Sequence, residues 1–307
     1  MALRRPLYIA IMLCASSSLH AQTHRGHQST SPKTPTQTGP VTLTPAVVES
    51  GSPELIRVEV PNAEKVEGEW LTHKLEFFRT PASKDIWYAL AGVDVEAPPG
   101  PSKLTISARL NAPLTQDLSR DIVIHAAHYR TGSLTVPPKF VEPGPEEKVQ
   151  IDESVKAKEK AFKSSTEKPL WSGSFIAPVR AQATDSFGTR RMFNGKLASI
   201  HKGTDFRAAT GTPVRAGNSG IVILAQPLYY EGNCVMIDHG QGLTSISMHL
   251  SRIDVKPGQP VTRGQQLGLS GSTGRVTGPH LHWAIRWQGA MLDPAKLLKL
   301  NLSNLPR

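Results

Sequence analysis

The sequence predicts an all-β protein with two parts, an N-terminal β-sandwich and a C-terminal antiparallel β-sheet domain. In residues 41–136, short apolar runs alternate with turn residues at a spacing typical of a sandwich. In the C-terminal region, many glycine-rich turns separate similar short runs, and there is little helical periodicity. A charged connector, residues 137–169, lies between the two parts.

The sandwich prediction depends on segments in which apolar and polar residues alternate. Residues 104–110 alternate throughout, and a period of two places successive side chains on opposite faces of a strand. Residues 55–60, 87–91 and 121–125 are further apolar runs of strand length. We therefore expect the sandwich domain to span residues 41–136.

The connector has two interpretations. It is rich in charged residues, and Val149, Val155 and Phe162 are among its few apolar side chains. It could form a solvated helix packed across both domains or a flexible tether. Because residues 146–167 contain no glycine or proline, we favour the helix.

The first 21 residues have the features of a secretory signal peptide. Arg4 and Arg5 precede a short apolar run at 7–15, and the small residue Ala21 follows. That run is short for a bilayer-spanning helix, so we favour cleavage near Ala21 over a membrane anchor. We expect an exported protein, located in the periplasm or cell envelope or secreted, without stable membrane insertion. Residues 22–40 predict a disordered linker, because they are rich in Thr, Ser, Gln, Pro and Gly.

Charge and cysteine content agree with export. The formal net charge is +10, and loss of Arg4 and Arg5 with the leader leaves +8. A basic exported protein is attracted to anionic surfaces such as the cell envelope. The sequence has no nucleic-acid-binding motif, so we expect no nucleic-acid partner. After cleavage only Cys234 remains, in an apolar run typical of a buried strand, so no intramolecular disulfide can form.

Five polar side chains near the C-terminus suggest metal chemistry: His201, Asp205, His249, His280 and His282. Two imidazoles and one carboxylate can hold a zinc ion and leave a fourth position for water. The remaining two imidazoles could transfer protons. The set contains the parts of a zinc hydrolase, although spacing alone does not say which three residues bind the metal.

The local pattern places these residues on strands and loops. Residues 279–287 alternate with a period of two, which predicts a strand with His280 and His282 on one face. Gly203 makes a helix between His201 and Asp205 unfavourable, so we place both on a loop that enters a strand at residues 204–207. The other histidines have no spacing typical of a site: His20, His24, His27, His73, His125, His128 and His239.

Between Phe175 and Pro294 the chain resembles the lysostaphin/LytM-type peptidoglycan metalloendopeptidases. Eight motifs occur in the family's order, at residues 175–179, 186–191, 201–206, 211–216, 235–240, 248–251, 268–274 and 277–282. The resemblance covers about 120 residues of the chain. It is specific, because the metal motifs and the glycine-rich turns occur together.

The resemblance implies a role for each of the five residues. His201, Asp205 and His282 would be the ligands of one Zn²⁺ ion, and His249 and His280 would be the catalytic pair beside it. One histidine of the pair would take the proton of a water molecule. The other would orient the water or stabilise the oxyanion. The division of these two roles stays open.

The resemblance also implies the domain plan. Residues 170–300 would form a LytM-type peptidase domain with the metal in a groove, and residues 41–136 resemble the Ig-like modules that precede some exported LytM-type domains. Ser247 departs from the pattern, since many relatives have tyrosine there, which affects any role of that ring but not the metal.

We therefore expect an exported zinc metalloendopeptidase that hydrolyses peptide bonds in the stems or cross-links of peptidoglycan. One alternative is a non-hydrolytic LytM-like binding module that activates other cell-wall hydrolases. Another is an enzyme that cleaves a different exported peptide, such as a glycine-rich protein. The presence of all five residues favours the peptidoglycan hydrolase.

Overall fold

In the computed structural model, the N-terminal strands form two sheets around a shared apolar core. The structure describes residues 39–111, 113–133, 143–163, 166–193, 196–303 and 305. The leader at 1–21 and almost all of the linker at 22–40 lie outside these ranges. The N-terminal strands are β1 (Val41–Thr44), β2 (Val48–Glu49), β3 (Pro53–Glu59), β4 (Lys65–Trp70), β5 (His73–Glu76), β6 (Phe78–Arg79), β7 (Ile86–Gly92), β8 (Gly100–Arg109) and β9 (Thr115–His125).

The order of these strands gives a four-stranded and a five-stranded sheet. The first has the order β1-β3-β7-β6, and the second has the order β2-β9-β8-β4-β5. The alternation along β8 has the expected consequence, because Leu104, Ile106 and Ala108 are buried while the residues between them are exposed. Burial of this face of β8 therefore helps to hold the two sheets together.

A helix, α1 (Pro145–Phe162), occupies most of the predicted connector. Pro145 begins the helix, and Glu146 and Glu147 lie in its first turn, where they interact favourably with the helix dipole. Ala161 packs in a small apolar cluster with residues of the C-terminal sheet, including Met236. The helix thus lies against the sheet that carries the candidate site.

The C-terminal region is also built of strands, which confirms the all-β prediction. A short strand, β10 (Thr131–Ser133), precedes α1, and a final helix, α2 (Pro294–Lys299), follows the last strand. The strands are β11 (Ala183–Asp185), β12 (Arg190–Phe193), β13 (Lys196–Ile200), β14 (Thr204–Phe206), β15 (Pro213–Arg215), β16 (Gly220–Leu228), β17 (Gly232–Asp238), β18 (Leu243–Ile253), β19 (Pro260–Val261), β20 (Gln266–Ser270), β21 (Leu281–Trp287) and β22 (Ala290–Leu292).

The main C-terminal sheet is antiparallel, and β21 lies between β14 and β18 within it. Its path runs β11-β14-β21-β18-β17-β16-β19, with β15, β20 and β22 attached at its sides. Asp205 on β14 is paired with His282 on β21, and His282 is paired with Met248 on β18. Trp283 and Trp287 bury their rings in the core and fix the strand. The pairing therefore places Asp205 and His282 side by side, and His249 follows Met248 on the neighbouring strand.

Backbone hydrogen bonds join the N-terminal sheets to the C-terminal region within the compact unit Pro35–Arg307. Asp293 N–H donates to the Gly51 carbonyl at 2.7 Å, and Val95 N–H donates to the Met291 carbonyl at 3.2 Å. At Gly92 the two parts approach so closely that an added Cβ would lie 2.4 Å from the Leu292 side chain. The predicted boundaries at 41–136, 137–169 and 170–300 stay predictions.

Two further observations concern export and redox chemistry. Across the described residues, neither helix has the length and apolar character that a membrane crossing requires. Cys234 is a free, fully buried thiol, and burial raises its pKa well above the usual range. The thiol is therefore protonated and unreactive in the core.

Candidate metal centre and active site

Three side chains meet in a tight triangle at the end of the central strands. His201 Nε2 lies 3.1 Å from Asp205 Oδ1 and 3.1 Å from His282 Nδ1. His282 Nδ1 lies 2.8 Å from the same Asp205 oxygen. These are the three residues of the described chain whose ligand atoms converge closely enough to share a metal ion. His201 and Asp205 are buried, and His282 is half-buried.

The donor set fits a zinc ion. The His201 Nδ1–H donates to the Ser186 carbonyl at 3.0 Å, because a carbonyl oxygen can only accept. His201 Nε2 therefore presents its lone pair to the triangle, beside the carboxylate of Asp205 and His282 Nδ1. Three electron-rich atoms directed at one point repel each other unless a cation lies between them. Two imidazole nitrogens and one carboxylate oxygen form a set that zinc accepts while keeping one coordination position open.

A guanidinium holds the other oxygen of Asp205. Arg191 Nη2 donates to Asp205 Oδ2 at 3.2 Å, while Oδ1 faces the two histidines. Burial raises the pKa of Asp205, but its close contacts with His201 and His282 outweigh burial and hold that pKa well below the usual range. The carboxyl group is therefore ionised over the whole physiological range, as a metal ligand must be.

A bulge in β18 turns His249 toward the triangle. Met248 and His249 lie opposite the single residue Cys234, because Val235 pairs with Ser247 and Asn233 pairs with Leu250. His249 has a φ of +63°, a left-handed conformation that is uncommon outside glycine. Bulges of this kind redirect a side chain that a regular strand would aim elsewhere.

His249 presents Nε2 as a free acceptor. Its Nδ1–H donates to the Thr273 carbonyl at 2.9 Å, which fixes the proton on Nδ1. Burial, followed by the charges of His282 and His280, lowers the pKa of His249 to about 3. The ring is therefore neutral at neutral pH, with an unprotonated Nε2.

His280 has the same arrangement. It forms an isolated β-bridge with Gly271, directly before β21, and its Nδ1–H donates to the Gly278 carbonyl at 2.8 Å. Its Nε2 lies 3.8 Å from Asp205 Oδ1, and its ring centroid lies 4.9 Å from that of His249. Two imidazoles, each held through Nδ1 by a backbone carbonyl, thus flank the metal triangle.

A groove of about 440 Å³ opens beside the metal triangle, and Asp205, His249, His280 and His282 line it. Three arginines line it: Arg130, Arg191 and Arg275. The first two contact acidic residues, while the guanidinium of Arg275 lies 4.4 Å above the ring of Tyr230. Asp185 and Asp205 also line the groove, so three positive and two negative side chains leave it one net positive charge before the charge of a metal ion is added.

The structure brings the five residues singled out from the sequence together: Asp205, His249, His280 and His282 line the groove, and the buried His201 contacts Asp205 and His282. His239 lies elsewhere, buried in the core, where its Nδ1–H donates to the Ser219 carbonyl at 2.7 Å and its ring packs on Phe175. His73 packs on Trp287 in another part of the core.

The sequence reasoning missed two residues that contact the ligands, Asp185 and Arg191. Asp185 Oδ2 lies 3.2 Å from His201 Nδ1, and Arg191 bridges Asp185 and Asp205. Arg191 lies in a motif of the family resemblance and Asp185 directly precedes that motif, but neither has a spacing that indicates a contact with His201 or Asp205.

Comparison with known proteins agrees with the position of this groove. Residues 199–294 match the model of peptidase family M23, and this range contains all five site residues. Peptidoglycan DD-endopeptidase ShyA of Vibrio cholerae is 42% identical over 128 residues, which cover 40% of this chain and 29% of that protein. DD-carboxypeptidase/endopeptidase Mpg of Neisseria meningitidis is 40% identical over 98 residues, which cover 32% of this chain and 23% of that protein. The chain thus spans less than a third of the length of these curated relatives.

A solved structure resembles most of the chain, including the N-terminal region. A Pseudomonas aeruginosa structure designated peptidase M23 superposes with a TM-score of 0.63 at 27% identity. The superposition covers 81% of this chain and 94% of that one. The similarity therefore extends beyond the matched range of 199–294.

Proposed function

We propose that this chain, whose residues 199–294 match the model of peptidase family M23, is an exported zinc metalloendopeptidase that cleaves peptide bonds in peptidoglycan stems or cross-links. The observation that carries the proposal is the arrangement around the metal triangle. Three ligand atoms converge within 3.1 Å of each other, and two imidazoles with free Nε2 atoms flank them.

His201, Asp205 and His282 would hold the zinc ion, through Nε2, a carboxylate oxygen and Nδ1 respectively. The chemistry that zinc supplies when bound is polarisation of a carbonyl group and activation of a water molecule at neutral pH. Arg191 donates to one oxygen of Asp205, and the other oxygen faces the two histidines. The ligands are therefore held in place by the protein and not by the metal alone.

His249 and His280 would move the protons. Each donates its Nδ1–H to a backbone carbonyl, so each can accept a proton at Nε2 without a change of tautomer. One Nε2 would take a proton from the attacking water, and a protonated imidazole could later donate to the leaving amine. The geometry is alike for both rings, so the order in which they act stays open.

The substrate proposal rests on the relatives and on the groove. The two curated relatives are named for peptidoglycan DD-endopeptidase and DD-carboxypeptidase/endopeptidase activity. Arg130, Arg191 and Arg275 line the groove, and a positive groove attracts the carboxylate-bearing peptides of a cell wall. Peptidoglycan lies outside the cytoplasmic membrane, so the proposal requires export, consistent with the predicted leader at residues 1–21.

The test is digestion of purified sacculi by zinc-loaded protein comprising residues 22–307. We expect soluble muropeptides with new amino and carboxyl ends, identified by mass spectrometry, and none from a His249→Ala protein with the same zinc content. A zinc-loaded parent that leaves sacculi intact would contradict hydrolysis. Activation of a separate cell-wall hydrolase by that inactive parent would support the binding-module alternative.

A further inference from the structure

The carboxylate of Asp185 lies directly behind the metal triangle and has four polar contacts. Its Oδ1 accepts from Arg130 Nη2 at 2.6 Å and from Thr189 Oγ1 at 3.0 Å. Its Oδ2 accepts from Arg191 Nη2 at 3.0 Å and lies 3.2 Å from His201 Nδ1. Both oxygens are thus used, and one of them faces a proposed zinc ligand.

Through these contacts Asp185 influences two proposed zinc ligands, His201 directly and Asp205 through Arg191. His201 can bind metal through Nε2 only while Nδ1 keeps its proton, and Asp185 stabilises that proton together with the Ser186 carbonyl. The same Arg191 nitrogen that contacts Asp185 also donates to Asp205. A displaced Asp185 would therefore disturb the orientation of both His201 and Asp205.

Arg130 reaches this carboxylate from the segment that leaves the N-terminal sheets. It follows β9 by a few residues and directly precedes β10, which pairs in parallel with β12. The Arg130 carbonyl accepts from Arg190 N–H at 2.9 Å. Its guanidinium also donates from Nε to Thr189 Oγ1 and from Nη2 to the Thr184 carbonyl, both at 3.3 Å.

The neighbouring Tyr129 contacts both the N-terminal sheets and the C-terminal region. Its hydroxyl donates to the Ser50 carbonyl in the N-terminal region at 2.7 Å. Its ring packs edge-on against Phe187 and lies so close to Gly188 that an added Cβ there would be 2.1 Å from the ring. Gly188 has a φ of +79°, so both its conformation and its contact with Tyr129 require glycine.

We propose that Asp185 and Arg130 are positioning residues for the metal site, so that a segment from the N-terminal sandwich completes the outer shell of a site in the C-terminal domain. The inference rests on the proposed zinc site. Outer-shell carboxylates that hold a ligating histidine typically change metal affinity about 10–100-fold when removed.

The burial of Asp185 and of Arg130 predicts which of the two has the larger effect on zinc affinity. The side chain of Asp185 is 22% exposed and that of Arg130 is 57% exposed. Exposed ion pairs contribute little because water screens them. We therefore expect loss of Asp185 to have a larger effect than loss of Arg130, and Arg130 to act through Asp185.

The test compares zinc affinity of residues 22–307 in four proteins, by competition with a chromogenic chelator. The proteins are the parent, Asp185→Asn, Arg130→Gln and the double variant. The matched control is Arg252→Gln, which removes an exposed arginine with an equally short 2.6 Å contact to Asp254. Cobalt absorption spectra report ligand geometry, and thermal unfolding of the metal-free proteins separates folding from metal binding.

We expect zinc affinity about 10–100-fold weaker for Asp185→Asn and several-fold weaker for Arg130→Gln, with altered cobalt spectra and the control unchanged. The double variant should match Asp185→Asn, because Arg130 acts through that carboxylate. Parental zinc affinity and cobalt spectra in both single variants would overturn the inference. Parental zinc binding without hydrolysis of sacculi would overturn only the proposed function, and a parent that binds no zinc would overturn both.

Discussion

Gly203 lies directly against the imidazole of His282. A Cβ added to Gly203 would stand 2.4 Å from His282 Nε2 and 2.8 Å from the Trp283 carbonyl oxygen. Because His282 meets Asp205 through Nδ1, the opposite side of its ring faces Gly203. The absence of a side chain at position 203 thus lets the ring reach the metal triangle.

We expect Gly203→Ala to weaken zinc binding about tenfold or more. The new methyl group must displace either the His282 ring or the backbone at Trp283, and overpacking of this kind costs about 1–3 kcal/mol. Zinc affinity measured by chelator competition checks the prediction. Gly278→Ala is the control, because nothing lies within 4 Å of an added Cβ at that groove-lining position. Equal zinc affinity in both variants would contradict a steric role for Gly203.

His282→Ala should lose the metal, whereas His280→Ala should keep it. His282 Nδ1 lies 2.8 Å from Asp205 Oδ1, while His280 Nε2 stays 3.8 Å away and its Nδ1 is bound to a carbonyl. Metal analysis of the two purified variants after dialysis distinguishes the residues. Stoichiometric zinc in His282→Ala would rule out this ligand assignment.

His249→Ala should abolish most turnover and leave zinc in place. General acid–base groups contribute about 10²–10⁴-fold to the rate, and His249 Nε2 is free to accept a proton. The measurement is the rate of muropeptide release by parent and variant of equal zinc content. Since His249 has a φ of +63°, a His249→Asn variant, which tolerates that conformation, controls for backbone effects and should be equally slow. A parental rate in either variant would exclude proton transfer by His249.

The alternation of apolar and polar residues predicted much of the fold, because the burial of one face of a strand can be read from that strand's own sequence. It identified the strands now seen at Gly100–Arg109 and Leu281–Trp287. It could not predict the pairing of Thr131–Ser133 with Arg190–Phe193, because strand register depends on contacts between distant segments. The bulge at His249 could not be predicted from the sequence either, since it depends on pairing with the neighbouring strand.

The site was predictable to the extent that its residues occur in motifs. The resemblance grouped the five polar residues, and the structure brings them together, while their catalytic and metal-binding roles stay predictions. Asp185, Arg130 and the tautomers of His249 and His280 were not predictable. Each depends on a carbonyl, carboxylate or guanidinium from a distant segment, and the sequence gives no period or spacing for such contacts.

Glu54 on β3 is a buried carboxyl group in the N-terminal sandwich, far along the chain from the metal ligands. Its side chain is fully buried, and its Oε1 accepts a hydrogen bond from Ser52 Oγ at 2.6 Å. Burial raises the pKa of Glu54 from 4.5 to about 8, although the Ser52 hydrogen bond and the charge of Lys296 oppose the shift. The folded protein therefore holds this group in its neutral form at neutral pH.

This buried carboxyl group should make the protein less stable as the pH rises from about 4.5 to about 8. In that range the unfolded chain has released the proton of Glu54 while the folded chain keeps it, so rising pH favours unfolding. At about 1.4 kcal/mol per pH unit, the cost at pH 7 is about 3 kcal/mol. Glu54→Gln removes the titration, so the free energy of unfolding of the variant relative to the parent should rise by about that amount between pH 4.5 and 7. Denaturant unfolding with a chelator present measures the difference without a contribution from metal binding. As a control, Glu59→Gln, at the exposed end of the same strand, should show the same pH dependence of unfolding as the parent. A pH-independent difference between Glu54→Gln and the parent would show that Glu54 does not stay protonated in the fold.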